Sequence, residues 1–458
     1  MATGQQVPSW GEEHGLARAS WSLEACLRCA ICLDACPVYG IDPTFPGPKS
    51  LVAWWRRHPS YQVPPYSALA GCNGCRRCQI ACPAGVPVAD LIQSWRPKAK
   101  LPSLMLSLRK WFLARGSSWG RWAALLARVV NWLGRRHLVR KALAWGLGIS
   151  PDQPLPRFSS RPETTFGWVR VAAAQPASAG PEPGHLDRPG QLSSFTPTLP
   201  QVVAVFLGCF YRYCRPQAFQ ALKRLLSGWG CQLYLLDSAC CGLPALANGD
   251  SRQATRWAGS NLRHFEQLLT LLPSPSLGRA LHPDLPVLAL CPSCALVLKE
   301  VYPSLVPGPA AFSLSRSVVD ACQFVLENSV TGGQRSPRPP GLPVAYHLPC
   351  HLAAQGIGAP GLELLRRVVG LNIVPLADSC CGAAGTYALK QERYPASRRI
   401  ARSLVESLAA SNARLVATEC GMCQVQLWGH TGISAVHPIE LLKQSEGKLE
   451  PTPNLYGN

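Results

Sequence analysis

Two runs of four cysteines with the same spacing constrain this chain more than any other feature. Each run has the form C-x2-C-x2-C-x3-C-P, and the second repeats the first 46 residues later. The eight cysteines are Cys26, Cys29, Cys32, Cys36, Cys72, Cys75, Cys78 and Cys82. Three cysteines in one tight loop are placed to bind three irons of a cubane cluster, so the runs predict two [4Fe–4S] cubane clusters.

The fourth cysteine of each run is expected to bind the cluster of the other run. The first predicted ligand set is therefore Cys26, Cys29, Cys32 and Cys82, and the second is Cys72, Cys75, Cys78 and Cys36. The alternative is a pair of structural zinc sites, because C-x2-C knuckles also bind Zn²⁺. A zinc site does not need a third cysteine at the same spacing, so the pattern favours iron–sulfur clusters.

Cysteine content and charge bear on compartment and partners. The chain of 458 residues has 21 cysteines and a formal net charge of +20. The first residues, MATGQQVPSWGEEHG, are polar and do not read as a signal peptide, so we expect reduced thiols in a cytosolic setting. No window of 18 or more uncharged apolar residues occurs, which predicts no transmembrane helix. The positive charge predicts an acidic partner: nucleic acid, anionic lipid or an acidic protein.

Composition divides the chain into five segments. Residues 1–100 are turn-rich and hold the two cysteine runs, 101–150 are basic and rich in tryptophan, and 151–200 are a proline-rich linker with little packed structure. Beyond them, strand-like runs such as VVAVFLG and PVAYHL alternate with helix-like runs such as AFQALKRLLSGWG. This alternation predicts two α/β domains, 201–330 and 340–445.

Each of these two domains presents a strand ending in cysteine, then Cys-Cys-Gly, then C-x2-C. Adjacent cysteines are poorly placed to bind one iron, but they can bind different atoms of a larger assembly. Gly242 and Gly382 are expected to let the backbone approach a cluster. The ten candidate ligands are Cys209, Cys240, Cys241, Cys291, Cys294, Cys350, Cys380, Cys381, Cys420 and Cys423.

This block resembles the CCG domain pair shared by heterodisulfide reductase, the glycolate oxidase iron–sulfur subunit and the C subunit of anaerobic glycerol-3-phosphate dehydrogenase. The resemblance implies a non-cubane [4Fe–4S] cluster in each domain; ordinary cubanes, or one domain reduced to a scaffold, are the alternatives. The narrower resemblance, to the glycerol-3-phosphate dehydrogenase family, rests on FPGPK at 45–49, HxxCH at 347–351, CCGAAGTYALKQERYPAS at 380–397 and HPIELL at 437–442. The expected fold class is α+β multidomain, an α-helical two-cluster ferredoxin-like domain followed by a duplicated α/β CCG domain pair.

Residues 103–149 contain no acidic residue, and tryptophans and arginines are frequent among them. One helical face would carry Trp122, Leu125, Leu126, Val129, Val130 and Leu133. The accompanying cations are Arg121, Arg128, Arg135, Arg136, Arg140 and Lys141. This pattern is typical of a helix lying in the plane of an anionic membrane surface. The alternative is a core helix pair with a basic outer face. Nucleic-acid binding is not expected, because no groove-reading or base-stacking motif accompanies the charge.

The residues predict redox metal without a flavin or nicotinamide site, since the G-x-G-x-x-G match at 356–361 does not open directly from a strand. We therefore expect an electron-transfer subunit of an oxidoreductase complex, with no catalytic acid–base residues of its own. The resemblance implies a flavoprotein partner carrying FAD that oxidises sn-glycerol 3-phosphate, and a quinone acceptor, menaquinone, at the cytoplasmic face of the membrane. The alternatives are an iron–sulfur subunit of a glycolate or lactate oxidase, a heterodisulfide reductase-like enzyme and a zinc or basic adaptor protein.

Five further residues carry smaller predictions. His347 and His351 flank Cys350, and both are predicted to be hydrogen-bonded neighbours of the metal site. The alternative is that they tune a cluster or relay a proton to a quinone. Cys214, Cys231 and Cys322 fit neither repeat and are predicted to be buried thiols without a metal.

Overall fold

The computed structural model describes residues 25–58, 62–163, 169–171, 202–236, 238–272, 285–329, 343–366 and 372–442. The polar N-terminus, most of the proline-rich stretch and the second half of the predicted helix GLELLRRVVG lie outside these residues. Within them the predicted fold class is confirmed, because a small helical domain precedes two parallel α/β sheets of matching topology.

Within its described residues the first domain has five short helices, and each cysteine run includes one of them together with the loops on either side. Its helices are α1 (Ile31–Asp34), α2 (Pro48–Arg57), α3 (Tyr66–Gly71), α4 (Arg77–Ile80) and α5 (Val88–Trp95). The repeat extends to the backbone, since Ala30 and Arg76 precede α1 and α4 and both have positive φ, 70° and 63°. The sequence repeat is therefore also a repeat of an uncommon local conformation.

The acid-free stretch forms four helices rather than one long helix. They are α6 (Leu104–Ala114), α7 (Gly116–Leu125), α8 (Ala127–Arg135) and α9 (His137–Leu147). The predicted apolar face runs across α7 and α8, and the break between them falls at Leu126, which has non-helical ψ of 28°. Among the described residues, no helix is both long and apolar enough to span a bilayer.

The prediction that 151–200 has little packed structure is wrong for its first part. Gln153 is fully buried and donates a hydrogen bond of 2.8 Å to Gln426 Oε1. The guanidinium of Arg140 donates to the carbonyls of Pro151 and Gln153, and Phe158 pairs with the side chain of Asn131. Proline removes backbone donors, but it leaves carbonyls that the half-buried Arg140 satisfies, so a proline-rich segment can pack in an extended form.

The two α/β domains have the same strand order. The first sheet contains β1 (Val169–Val171), β2 (Val202–Phe206), β3 (Gln232–Leu235), β4 (Val287–Ala289) and β5 (Val318–Asp320) in the order β1-β3-β2-β4-β5, with β1 antiparallel. The second contains β6 (Val344–Tyr346), β7 (Ile373–Pro375), β8 (Leu415–Ala417) and β9 (Ser434–Val436) in the order β7-β6-β8-β9, all parallel. We call the two domains the first and second modules.

Helices cover these sheets, so the inner strands β2, β4 and β6 are buried, as parallel sheets require. In the first module they are α10 (Gly208–Tyr213), α11 (Gln217–Gly228), α12 (Leu243–Ala247), α13 (Ser251–Leu271), α14 (Pro292–Leu296), a π-helical turn (Val297–Val301), α15 (Tyr302–Leu305), α16 (Pro309–Ser317) and α17 (Ala321–Asn328). In the second they are α18 (Cys350–Ala353), α19 (Pro360–Leu364), α20 (Tyr394–Ala410), α21 (Gly421–Thr431) and α22 (Pro438–Leu442). The candidate cysteines follow the carboxyl ends of the strands, where open α/β sheets bind ligands.

Ion pairs fix the helical domain against both modules. Arg393 on the second module is buried with Asp42, and it also donates to Thr44 Oγ1 at 2.7 Å. Arg76, at the start of α4, bonds to Glu300 of the first module at 2.5 Å. Because buried pairs of this kind are costly to break, the three parts are expected to hold a fixed relative position.

Lys390 gives a pH-dependent prediction for stability. Its side chain is buried, and burial together with Arg96 and Arg109 lowers its pKa from 10.5 to about 7. Between these two values the unfolded chain binds more protons than the folded chain, so stability rises with pH across that window and the penalty is largest below it. We expect Lys390→Met to raise the thermal midpoint at neutral pH and to flatten its rise toward alkaline pH.

The matched control is Lys100→Met, because Lys100 is exposed. Thermal unfolding followed by circular dichroism at several pH values measures both variants. If Lys390→Met kept the pH dependence of the wild type, the buried amine would not be its source.

Candidate metal centres

The eight cysteines of the two runs line two separate cavities. One cavity is lined by Cys26, Cys29, Cys32 and Cys82, and the other by Cys36, Cys72, Cys75 and Cys78. The fourth cysteine of each run has thus crossed to the loop of the other run. Cysteine-lined cavities of this composition have the donor set of a four-thiolate cluster, so the residues present fit the predicted group.

The ten cysteines of the two modules form one unbroken series in which each thiol is close enough to influence the ionisation of the next, and we call this series the ten-thiol chain. In order it runs Cys209, Cys240, Cys241, Cys294, Cys291, Cys420, Cys423, Cys381, Cys380 and Cys350. The Sγ atoms of Cys381 and Cys423 are 3.2 Å apart. The structure therefore brings together all five predicted cysteines of each module, and the modules meet at Cys291 and Cys420.

Some of these buried thiols are held toward the thiolate form. Hydrogen bonds from Cys240 and Cys294 lower the pKa of Cys241 to about 6. Hydrogen bonds from Cys294 and Cys420 lower the pKa of Cys291, and bonds from Cys350 and Cys381 lower that of Cys380. Interactions with neighbouring thiols and burial raise the pKa of the other cysteines, for example Cys209 and Cys350. A thiolate, not a thiol, binds a metal ion, so binding of a metal by the full set would release protons.

The glycines of the two Cys-Cys-Gly motifs have backbone angles that glycine favours. Gly242 and Gly382 have φ of 98° and 78°, which residues with a side chain rarely adopt. A Cβ on Gly382 would lie 2.3 Å from the carbonyl oxygen of Ser397 on α20, behind the cysteines. These glycines therefore allow a tight turn, and Gly382 also allows close packing on α20. The N–H of Gly382 lies 3.4 Å from Cys380 Sγ, and the approach of the backbone to a cluster stays a prediction.

The second cysteine run touches the second module. Asn73 Nδ2 donates to Cys380 Sγ at 3.6 Å, and the nearby Cys380 thiolate raises the pKa of Cys75 in addition to the effect of burial. Arg77 bonds to Asp378 at 2.5 Å, two residues before Cys380. Four cysteine sets therefore follow one another in space: the first cavity, the second cavity, the second module and the first module.

The two histidines beside Cys350 differ. His351 is hydrogen-bonded as predicted, with Nδ1 2.8 Å from Ser293 Oγ and Nε2 3.0 Å from the carbonyl oxygen of Gly74. It thus joins all three parts of the protein. His347 is not hydrogen-bonded, because neither of its ring nitrogens has a partner among the described residues. The prediction of a hydrogen-bonded ring is therefore wrong for His347. Burial lowers its pKa to about 4, so the ring is neutral.

Cys231 and Cys322 are buried within the first module, away from the ten-thiol chain. Cys214 is half-buried and lines a cavity of about 690 Å³ together with Arg135, Arg161 and Arg224. This basic cavity lies between α8 and the first module. The sequence pattern around Cys214 did not indicate this cavity, because the residues that line the cavity come from segments far apart in the chain.

The predicted apolar face of α7 and α8 points outward. Trp122 is 65 % exposed and Trp132 is 53 % exposed. Other exposed apolar residues of α6 to α9 and their junctions are Leu104, Met105, Leu108, Trp111, Trp119, Leu125, Leu126, Val129, Leu133, Leu138 and Trp145. We call these residues, with the exposed Arg121, Arg128, Arg135, Arg136 and Lys141, the tryptophan–arginine surface. A core helix pair would bury this face, so in the chain alone the core interpretation does not hold.

Two contacts place this surface beside the first module. Gly120 of α7 packs so closely on Tyr213 of α10 that an added Cβ would lie 2.9 Å from the ring, and Arg115 bonds to Asp250 at 2.8 Å. Arg140 was predicted to belong to the surface, but its guanidinium is turned inward onto backbone carbonyls. Arg140 therefore stabilises the fold and does not contribute a cation to the tryptophan–arginine surface.

Comparisons with known proteins agree with this division. Residues 22–86 match the 4Fe–4S dicluster domain family, and residues 203–299 and 344–428 each match the cysteine-rich domain family. The chain is 32% identical over 93% of its length to the C subunit of anaerobic glycerol-3-phosphate dehydrogenase from Escherichia coli, covering 98% of that protein. It is 25% identical over 92% of its length to the probable glycolate oxidase iron–sulfur subunit of Bacillus subtilis, covering 94% of it. Lactate utilization protein A of Geobacillus sp. is 28% identical over 52% of this chain and is covered over 98% of its own length.

Proposed function

This chain belongs to the family of the anaerobic glycerol-3-phosphate dehydrogenase C subunit, an iron–sulfur electron-transfer subunit of an oxidoreductase complex, and from that premise we propose its place in the complex. It receives electrons from a partner FAD subunit that oxidises sn-glycerol 3-phosphate, and it passes them to menaquinone. It does so as a peripheral protein on the cytoplasmic face of the membrane. The chain itself holds no flavin.

The observation that supports this proposal most is the spatial order of the cysteine sets. Two four-cysteine cavities would hold two cubane clusters, and the ten thiols of the modules would hold two non-cubane [4Fe–4S] clusters. When bound, such clusters accept and release single electrons, while the protein sets their spacing, burial and potential. The four cysteine sets form a series with two terminal members. One terminal member is the first module, and the other is the cavity formed by Cys26, Cys29, Cys32 and Cys82.

The position of the tryptophan–arginine surface supports a proposed role for each end. It packs on α10, which begins one residue before Cys209 of the first module. Tryptophans beside arginines suit the interface of an anionic membrane, where a quinone is dissolved. The first module is therefore the quinone end, and the helical domain with the first two cysteine sets is the end that faces the flavoprotein.

The test uses the complex as it exists, purified anaerobically with its flavoprotein and bound to liposomes of anionic lipid that contain menaquinone. Adding sn-glycerol 3-phosphate should bleach the iron–sulfur absorbance, and the menaquinone should then reoxidise it. Bleaching by glycolate or lactate but not by glycerol 3-phosphate would instead support the second candidate, an iron–sulfur subunit of a glycolate or lactate oxidase, which the relatives of that kind favour. Turnover of a disulfide without quinone reduction would contradict both.

A further inference from the structure

His347 occupies a position that ordinary packing does not explain. It lies just after β6 and three residues before Cys350, and only 2% of it is exposed. Both ring nitrogens are buried without a hydrogen-bond partner among the described residues. A buried polar group without a partner costs about 1–3 kcal/mol, and native proteins leave few of them. The buried imidazole is therefore best explained by a ligand that contacts a ring nitrogen in the assembled protein.

The surroundings of the ring identify what that partner is. A ring nitrogen of His347 and the Sγ atoms of Cys381 and Cys423 all lie within 4.8 Å of one another. These two cysteines belong to the ten-thiol chain, one from the Cys-Cys-Gly motif and one from the C-x2-C motif. A neutral imidazole offers a lone pair, and nitrogen with thiolate sulfur is a donor set that iron and zinc accept in proteins. A cation between the three atoms would satisfy the orphaned nitrogen.

We propose that a ring nitrogen of His347 binds an iron of the cluster in the second module, beside Cys381 and Cys423. This inference rests on the proposed function, since it requires an iron–sulfur cluster in that module. It adds a sixth ligand, which is not a cysteine, to the five that the sequence repeat predicts.

The first module cannot do the same. The segment HLPC that ends in Cys350 corresponds to FLGC, which ends in Cys209, so Phe206 takes the place of His347. Phe206 is a buried residue of β2 with no ligating atom. The two modules thus share one cysteine pattern but have different donor sets.

The experiment labels histidine with ¹⁵N in the anaerobically purified complex and measures hyperfine coupling to the reduced clusters by pulsed electron paramagnetic resonance. The wild type should show the strong nitrogen coupling of a direct iron–nitrogen bond. The coupling should disappear in His347→Phe, which copies the first module, and the midpoint potential of that cluster should change while the first module keeps its signal. His347→Gln provides a second variant if phenylalanine prevents folding.

Two matched control variants remove histidines whose rings are hydrogen-bonded to residues outside the proposed site. His351→Gln removes a histidine that is hydrogen-bonded to Ser293 and Gly74, and His430→Gln removes one that contacts Gln426. Both should retain the coupling. A wild type with full iron content but no strong nitrogen coupling, or a coupling that survives in His347→Phe, would overturn the inference alone. A second module without iron in the wild type would overturn the proposed function as well.

Discussion

In a Cys381→Ala variant, a flavoprotein donor is expected to reduce the two cubane sites but not the first module. The expectation follows from the order of the cysteine sets, in which the second module lies between the second cavity and the first module. In Cys241→Ala, the corresponding change in the first module, every other site should still be reduced. Quinone reduction should fall more than about 100-fold in both variants, because losing even an outer neighbour of a metal site costs about 10–100-fold.

Rapid mixing with the reduced donor, followed by freezing and electron paramagnetic resonance, separates the two variants. The control is Cys231→Ala, since Cys231 is a buried thiol of the first module outside the ten-thiol chain. It should behave as the wild type. Rapid reduction of the first module in Cys381→Ala would show that electrons reach it without passing the second module, and the proposed order would be wrong.

Reversing three charges of the tryptophan–arginine surface should release the protein from anionic liposomes. Arg128, Arg135 and Arg136 are exposed there, and the guanidinium of Arg136 lies 4.4 Å from the ring centre of Trp132. Each basic residue near an anionic membrane contributes about 1 kcal/mol, so the triple change to glutamate should weaken binding by about 100-fold or more. Cosedimentation with liposomes measures the effect, which added salt should mimic in the wild type.

A matched reversal tests whether position or total charge matters. Arg398, Arg402 and Arg414 are exposed arginines of the second module, and changing all three to glutamate alters the net charge equally. Binding should then be reduced far less. Unchanged binding of the first triple variant would show that the surface meets something other than anionic lipid.

The sequence predicted features that depend on local spacing. The crossing of Cys36 and Cys82 between cavities follows from a loop pattern of a few residues, and the strands β2, β4 and β6 were evident as short apolar runs. The strands β5, β7 and β9 were not identified, because in each an apolar run of only two residues is followed by Asp320, Pro375 or His437. The helix break at Leu126 was also missed, since the apolar spacing continues through it and only the backbone angles reveal it.

Features that join distant segments could not be predicted. The contact between Cys291 and Cys420 depends on how two modules dock, and Arg76 meets Glu300 across more than two hundred residues. The inward turn of Arg140 is another such case, since its partners are carbonyls of a segment whose composition indicated a linker. The orphaned ring of His347 is visible only once the neighbours of a buried side chain are known.

The order of motifs along the ten-thiol chain is the same from either end. Starting at Cys209 or at Cys350, it passes through the Cys-Cys pair and the C-x2-C motif in matching order, and its centre is the contact of Cys291 with its counterpart Cys420. Contact between equivalent residues of two equivalent halves is the geometry of a two-fold homodimer, in which any substitution would appear in both subunits. Here both halves lie in one polypeptide, so each half can change independently. Phe206 opposite His347 and Leu290 opposite Glu419 are places where they have done so.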